Sequence, residues 1–194
     1  VRAITAVFEG TGKKVVLTAP TGRAAKRLSE VSGKEAQTIH RLLGYNFTED
    51  LFFKNIDNQL RADAIVVDEA SMVDIQLFYA LLCATPATSV LVLVGDVFQL
   101  PSVGPGNVLR DLIDAQVLPT FELSEIFRQA QTSLIVDNAH RIRNGLPPEL
   151  ETAREMSPEL DFFFVEESDP ARIASKIVDL CRHEIPDRFG FDPM

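Results

Sequence analysis

Short runs of consecutive apolar residues alternate along this chain with longer segments in which apolar residues recur every three or four positions. The short runs are typical of strands buried on both faces, and the longer segments are typical of the amphipathic helices that cover them. Strands are predicted at 15–18, 64–67, 90–94, 121–123 and 162–165. This alternation favours an α/β fold with a parallel sheet flanked by helices.

The helical segments are recognised by the same periodicity and by signals at their ends. Gly145 followed by Pro147 and Pro148 ends the fifth helix, and Ser71 with Asp74 three residues later predicts a capping box at the third. The predicted helices span residues 2–9, 22–31, 72–83, 108–114, 132–144 and 170–183. Between residues 44 and 61 aromatics flank polar turn residues instead, which predicts a small inserted β-hairpin.

Composition limits the classes of protein to consider. With 194 residues, 46% of them hydrophobic, the chain can bury a substantial core in one or two domains. No apolar run reaches membrane-spanning length, and the first residues lack the layout of a signal peptide. Cys83 and Cys181 lie in apolar helical patterns, which fits a reducing cytoplasm better than a disulfide or metal site.

The formal net charge of −9 argues against a nucleic-acid partner until its distribution is considered. Residues 13–41 carry seven Lys and Arg against two Glu. A local basic patch is what phosphate binding needs, whereas the charge of the whole chain mostly affects solubility. A solvated helix face is the alternative interpretation of the same residues.

A partial phosphate-binding pattern lies near the start, at Gly10-Thr11-Gly12-Lys13. The complete pattern, G-x-x-x-x-G-K-[ST], runs from a strand into a helix. Here Val7 occupies the first glycine position, Lys14 occupies the hydroxyl position, and the predicted order is helix before strand. We therefore interpret this segment as a helix C-cap and a turn before the first strand.

Paired carboxylates, Asp68 and Glu69, follow the apolar strand predicted at 64–67. Ligands of open α/β sheets bind beyond the carboxyl ends of the strands, where both side chains would project. Asp68 suits a Mg²⁺ ligand and Glu69 a general base for an attacking water. The alternative is an ordinary solvated strand end.

Two further polar groups are candidates, one after a later strand and one before a helix. Gln99 comes after the strand at 90–94, where it could sense a γ-phosphate or orient a water, and a stiff Gly104-Pro105-Gly106 loop follows it. Arg128 precedes a helix, where a cation opposes the macrodipole unless an anion lies nearby. We expect Arg128 either to contact a phosphoryl group or to pair with Glu125.

These segments occur together in an order that resembles one family. The quoted stretches are LTAPTGRAAKRLSE, TIHRLLGY, IVVDEASMVD, LVGDVFQLPSVGPGNVLRDL and LSEIFRQA. The chain resembles RecD-like superfamily 1 DNA helicases, the exodeoxyribonuclease V alpha subunit family, over nearly its whole length. The resemblance implies an α/β fold with the parallel sheet of RecA-like P-loop NTPases, without the P-loop segment. Residues 1–194 would form the first motor domain, with an inserted hairpin at 44–61. Residues 184–194 would begin the linker to a second motor domain. The resemblance also implies a phosphate-binding loop just upstream of residue 1, so that the chain alone would hydrolyse little ATP.

The resemblance also implies roles for individual residues. Asp68 and Glu69 would be the Walker B pair on Mg²⁺ and ATP, Gln99 the γ-phosphate sensor, and Arg128 the arginine that stabilises charge during hydrolysis. The implied DNA-binding residues are Pro20, Thr21, Gly22, Arg23, Thr38, His40, Arg41, Ser102, Val103 and Gly104. His40 by itself would more often be a structural imidazole. Phe98 departs from the polar residue expected there, and either stacks on a base or packs.

The implied activity is ATP-driven 5′→3′ movement along single-stranded DNA with duplex separation in repair and recombination. The implied partners are a second RecA-like domain of the same chain and nuclease and helicase subunits of a RecBCD-type complex, with no membrane. Phe47, Phe52 and Phe53 in the hairpin would stack on bases or pack, and packing is preferred because such aromatics usually supply a hairpin's only core. The alternatives are a RecA-fold DNA-binding or complex subunit without hydrolysis, and a P-loop kinase or signalling NTPase, which the basic stretch disfavours.

Overall fold

The computed structural model describes residues 1–123, 133–150 and 161–192. Two compact units, Val1–Phe121 and Glu122–Met194, divide the chain and are described separately. In the first unit the strands are β1 (Val15–Ala19), β2 (Ala36–Thr38), β3 (Tyr45–Asn46), β4 (Leu51–Phe52), β5 (Ala64–Val67) and β6 (Val90–Leu93). Its α-helices are α1 (Arg2–Gly10), α2 (Gly22–Ser32), α3 (Ile39–Leu43), α4 (Ile75–Ala84) and α5 (Val108–Asp114), with a 3₁₀ turn at Ala70–Met72.

Four of these strands form one parallel sheet in the order β2-β1-β5-β6. The other two, β3 and β4, form the predicted antiparallel hairpin, with Tyr45 opposite Phe52. The predicted α/β class with a helix-flanked parallel sheet is therefore confirmed.

The burial of β5 explains why its residues form a continuous apolar run in the sequence. All four of its residues are 0% exposed, because helices cover both faces of the sheet. Ile65 and Val67 pack in a cluster with residues of α3, α4 and α5. Val66 points to the opposite face, where it packs with Leu17 of β1 and Leu28 of α2. This alternation places β5 at the centre of the unit.

Local signals predicted several elements closely. The strand at 64–67 and the helix at 108–114 have the predicted bounds, and α1 and α2 extend one residue further than predicted. The segment at Gly10-Thr11-Gly12-Lys13 is a helix end and turn, as predicted: α1 ends at Gly10 and Thr11 is its C-cap.

Four sequence predictions were wrong. No strand forms at 121–123 or 162–165; Phe121 and Leu123 are 90% and 98% exposed, so no neighbouring strand covers them. The third helix begins at Ile75, not at residue 72. Its N-cap is Asp74, whose carboxylate accepts from the Leu77 N–H at 2.8 Å, so the predicted capping box with Ser71 is absent. The strand β2 and the helix α3 were not predicted.

The second unit contains α6 (Leu134–Arg143), α7 (Pro170–Asp179) and α8 (Ile185–Phe189), with a π-helical turn at Leu180–Glu184. The helix predicted at 170–183 therefore ends as α-helix at Asp179. Asn138 of α6 is buried. Its side-chain oxygen accepts the Glu149 N–H at 2.6 Å, and its side-chain amide donates to the Glu149 carbonyl at 3.3 Å. Within the described residues, no helix is both long and apolar enough to cross a bilayer.

Candidate functional site

The carboxyl ends of three neighbouring strands meet at one edge of the sheet. In the register of the sheet, Thr18 of β1 lies beside Val67 of β5, and Val67 lies beside Leu93 of β6. Ala19 likewise lies beside Thr38 at the end of β2. The segments that follow these strands therefore leave the sheet at the same edge, which is the usual ligand-binding edge of such folds.

Asp68 and Glu69 are the first residues beyond β5, and both are half-buried. The Asp68 N–H donates to the Thr18 carbonyl at 2.9 Å, and the Ala70 N–H donates to Val94 at 2.8 Å. These bonds hold the carboxylates between the ends of β1 and β6. Glu69 has a left-handed backbone, with φ +53° and ψ 40°. A non-glycine residue in this conformation is uncommon and tends to occur at functional sites.

Gln99 lies in the loop after β6, where Asp96 organises the backbone. The Asp96 carboxylate accepts from the Phe98 N–H at 2.9 Å and from the Gln99 side-chain amide at 3.5 Å. The Asp96 carbonyl accepts the Gln99 N–H at 3.2 Å. An Asp carboxylate that accepts the backbone N–H two residues later forms an Asx-turn. The G-D-x-x-Q sequence contains the Asp that this turn requires.

Gly95 brings this loop close to the backbone that follows the carboxylates. A Cβ at Gly95 would lie 3.0 Å from the Ser71 nitrogen and 3.1 Å from the Ala70 nitrogen. Only a glycine permits this approach. Arg128, the fourth predicted catalytic residue, lies outside the described residues.

The predicted DNA-binding segment Pro20-Thr21-Gly22-Arg23 connects β1 to α2. Thr21 is the N-cap of α2, and its hydroxyl accepts from the Ala24 N–H at 3.2 Å. Arg23 is exposed in the first turn of this helix. The start of α2 therefore combines backbone N–H groups that point out of the helix end with a basic side chain.

Thr38, His40 and Arg41 lie at the neighbouring β2–α3 junction. Thr38 caps α3 by accepting from the Arg41 N–H at 3.2 Å, and Arg41 is exposed. His40 is half-buried against the hairpin, 5.3 Å from Tyr45 and 5.9 Å from Phe52 between ring centroids. These contacts support the structural interpretation of His40.

The loop with Ser102, Val103 and Gly104 is docked onto the start of α4. The Ser102 hydroxyl bonds the carbonyls of Gly104 and Gly106 at 3.0 Å each, and the Ile75 N–H donates to Pro105 at 2.9 Å. Val103 at the tip is fully exposed. The docking of this loop onto α4 was not predicted. It depends on the absence of a side chain at Gly104, which lies against Asp74.

The hairpin aromatics divide into two sets. Phe52 is half-buried on the main core and close to Tyr45, which agrees with packing. Phe47 and Phe53 are 87% and 70% exposed, although the Phe47 ring also lies edge-on to Tyr45, 4.9 Å away between ring centroids. The Tyr45 hydroxyl donates to the Asp50 carboxylate, and this hydrogen bond raises the pKa of Tyr45 above its usual value.

The residues at this edge of the sheet can be compared with the predicted Mg²⁺ ligand, Asp68. In the part of the chain that the structure describes, no three His, Cys, Asp or Glu residues form a metal-binding group. Mg²⁺ is commonly held by one or two carboxylates together with waters and substrate phosphates, so Asp68 alone fits such a role.

The fold and this edge define a class: α/β domains whose loops project from the carboxyl ends of a parallel sheet. Within that class, a family model described as AAA domain matches residues 1–157, and the chain belongs to this family.

Three curated relatives extend the comparison. The chain is 42% identical over 147 residues to the ATP-dependent RecD2 DNA helicase of Deinococcus radiodurans, covering 76% of this chain and 20% of the relative. It is 34% identical over 155 residues to the ATP-dependent DNA helicase dda of Enterobacteria phage T4, covering 73% and 34%. It is 42% identical over 118 residues to the RecBCD enzyme subunit RecD of Mycolicibacterium smegmatis, covering 52% and 21%.

The predicted resemblance to RecD-like helicases is therefore confirmed. The chain spans between about a fifth and a third of the length of these relatives.

Proposed function

We propose that this chain is the first motor domain of an ATP-dependent DNA helicase that moves 5′→3′ along single-stranded DNA and separates duplexes in repair and recombination. Residues 1–194 would form this domain, with the hairpin at 44–61 and the linker to a second motor domain beginning at 184–194. The register of β1, β5 and β6 carries the proposal. It supports a shared edge for the acidic pair, the Gln99 loop and the basic start of α2.

Hydrolysis would be carried out by the acidic pair with Gln99 and Arg128. Asp68 would hold Mg²⁺, which when bound neutralises phosphate charge, and Glu69 would accept a proton from the attacking water. Gln99 would contact the γ-phosphate, and Arg128 would stabilise the charge that develops on it. The half-buried position of both carboxylates supports this assignment, because lower solvation strengthens their interactions with charge.

Single-stranded DNA would lie along the start of α2, the β2–α3 junction and the Ser102–Gly104 loop. Phosphates would bind the helix N-terminus and Arg23, while Pro20, Gly22, Thr38 and Arg41 complete the path. His40 would support this path by packing against the hairpin, not by contacting DNA. The exposed Phe47 and Phe53 support a wedge role for the hairpin, since exposed aromatics can stack on the bases of a separating duplex.

The setting follows from the relatives. One of them is named as a subunit of the RecBCD enzyme, so we infer that the protein acts with a second RecA-like domain and with the nuclease and helicase subunits of such a complex. We place this activity in the cytoplasm, with no membrane involved.

Substitution Glu69→Gln in the full-length protein tests the hydrolytic role. Loss of a general base should reduce DNA-stimulated ATP turnover by about 100-fold or more, while ATP binding measured by fluorescent-nucleotide titration persists. Glu166→Gln, at an exposed glutamate of the second unit, is the matched control. Turnover within a few-fold of wild type in Glu69→Gln would overturn the assignment.

A further inference from the structure

The carboxyl end of α4 is capped partly by the segment that contains the hairpin. The last four carbonyls of a helix have no partner inside it, so other groups must supply the donors. Thr85, the C-cap, supplies two of them: its hydroxyl donates to Leu81 at 2.7 Å, and its N–H donates to Leu82 at 3.1 Å. The other two carbonyls, of Cys83 and Ala84, accept from residues that precede α4 in the chain.

Gln59 and Leu60 supply these remaining donors. The Gln59 side-chain amide donates to the Cys83 carbonyl at 3.3 Å and to the Thr85 carbonyl at 3.2 Å. The Leu60 N–H donates to the Ala84 carbonyl at 2.8 Å. Gln59 is half-buried, and hydrogen bonds shielded from water are stronger than exposed ones. The end of the segment at 44–61 is therefore attached to the end of α4.

A second attachment joins the same segment to the end of α3. The Lys54 N–H donates to the Leu43 carbonyl at 2.9 Å. The Lys54 ammonium also connects the two attachments, because it donates to the Asn58 side chain at 3.1 Å and to the Gln59 carbonyl at 3.4 Å. A hairpin held at one point can still rotate, whereas two separate attachments fix its orientation.

The helix that receives the Gln59 amide is a firm support. Its buried residues pack in the main core, and they are Leu77, Phe78, Leu81 and Ala84. The ten residues of α4 span about 15 Å. At the opposite end of the helix, the Ile75 N–H donates to Pro105 of the loop described above. One buried helix thus carries the hairpin at one end and a loop of the candidate site at the other.

We infer that Gln59 is a positioning residue for duplex separation, an inference that rests on the proposed function. A hairpin that separates two strands is pushed by the duplex as the protein advances. The attachment at α3 alone would let the hairpin rotate away from that load. The Gln59 amide prevents the rotation by holding the hairpin segment to α4, so that movement along the strand opens base pairs.

Gln59→Met in the full-length protein removes the amide donors and keeps a side chain of similar length. Two rates are measured on the same sample: ATP hydrolysis with single-stranded DNA, and separation of a forked duplex. Hydrolysis should stay within about twofold of wild type, while the base pairs opened per ATP should fall about three- to tenfold, the effect of losing one or two hydrogen bonds. Gln76→Ala, at an exposed glutamine of α4, is the matched control and should change neither quantity.

The number of base pairs opened per ATP separates positioning from a structural role. Partial unfolding lowers both rates in the same proportion, because it reduces only the amount of active protein. Parallel losses in Gln59→Met with an unchanged ratio would therefore show a merely structural residue and overturn the inference. Wild-type values for both rates would overturn it as well.

Gln59→Lys tests the hydrogen bond itself. Its ammonium returns a donor, and a cation is favourable beside the carbonyls at a helix C-terminus. The ratio should recover to within about twofold of wild type, and a ratio as low as that of Gln59→Met would contradict the role of the donor. A wild-type protein that hydrolyses ATP with single-stranded DNA but opens no duplex would refute the proposed function itself, which distinguishes that failure from failure of the Gln59 attachment alone.

Discussion

Gly104 and Asp74 show how single residues fix the loop beside the candidate site. A Cβ at Gly104 would lie 2.7 Å from Cγ of Asp74 and 2.8 Å from its Cβ. Asp74 cannot simply move away, because its carboxylate caps α4 by accepting the Leu77 N–H. The loop therefore docks only if residue 104 has no side chain.

Gly104→Ala should destabilise the protein by about 1–3 kcal/mol, the typical effect of forcing extra atoms into a packed contact. Chemical denaturation of wild type and variant measures the difference. The control is Gly10→Ala, since no atom lies within 4 Å of a Cβ there. An unchanged unfolding midpoint in Gly104→Ala would show that the loop is not held against α4.

Helix N-caps in this chain come either from the residue just before the helix or from a residue far along the chain. Thr21, Thr38 and Asp74 cap the helices that begin immediately after them. The start of α6 has a local cap, Ser133, and a distant one, Asp161, whose carboxylate accepts the Leu134 N–H at 2.9 Å. The hydrogen bonds from the Ser133 hydroxyl and the backbone N–H groups of Ile135 and Leu134 hold the pKa of Asp161 below its usual value.

This direction sets the pH dependence of α6. A carboxyl whose pKa is lower in the folded state contributes stability at pH above its usual value of 3.8 and loses it as the pH falls through the folded pKa. Asp161→Asn should therefore lower the melting temperature near neutral pH, and the difference from wild type should shrink in acid. Thermal unfolding across this pH range measures it, with exposed Asp57→Asn as control. A difference independent of pH would contradict the cap.

The whole molecule combines a net charge of −9 with a basic surface at one helix. Arg23, Lys26 and Arg27 of α2 are all exposed, and the start of this helix lies at the same edge of the sheet as the acidic pair. The site thus presents opposite charges in neighbouring segments, which suits a domain that holds a metal–nucleotide on one side and a nucleic-acid backbone on the other.

Arg23→Ala should weaken binding of single-stranded DNA by the full-length protein and flatten its salt dependence. Loss of one phosphate contact reduces the slope of log K against log salt by about 0.7 for single strands. Arg2→Ala, which removes an exposed arginine from α1, should leave the slope unchanged. If Arg23→Ala also leaves it unchanged, the strand follows another path.

The sequence by itself determined the elements that depend on near neighbours. Periodicity, end signals and the direction of the chain give the bounds of β5 and α5 and the start of α1. They also give the order that puts Asp68, Glu69 and Gln99 after parallel strands. Tertiary structure decided what depends on distant residues: the short polar strand β2, the absence of strands at 121–123 and 162–165, and the approach of Gly104 to Asp74. Strand pairing and loop docking require a partner far along the chain, and no local pattern specifies which partner that is.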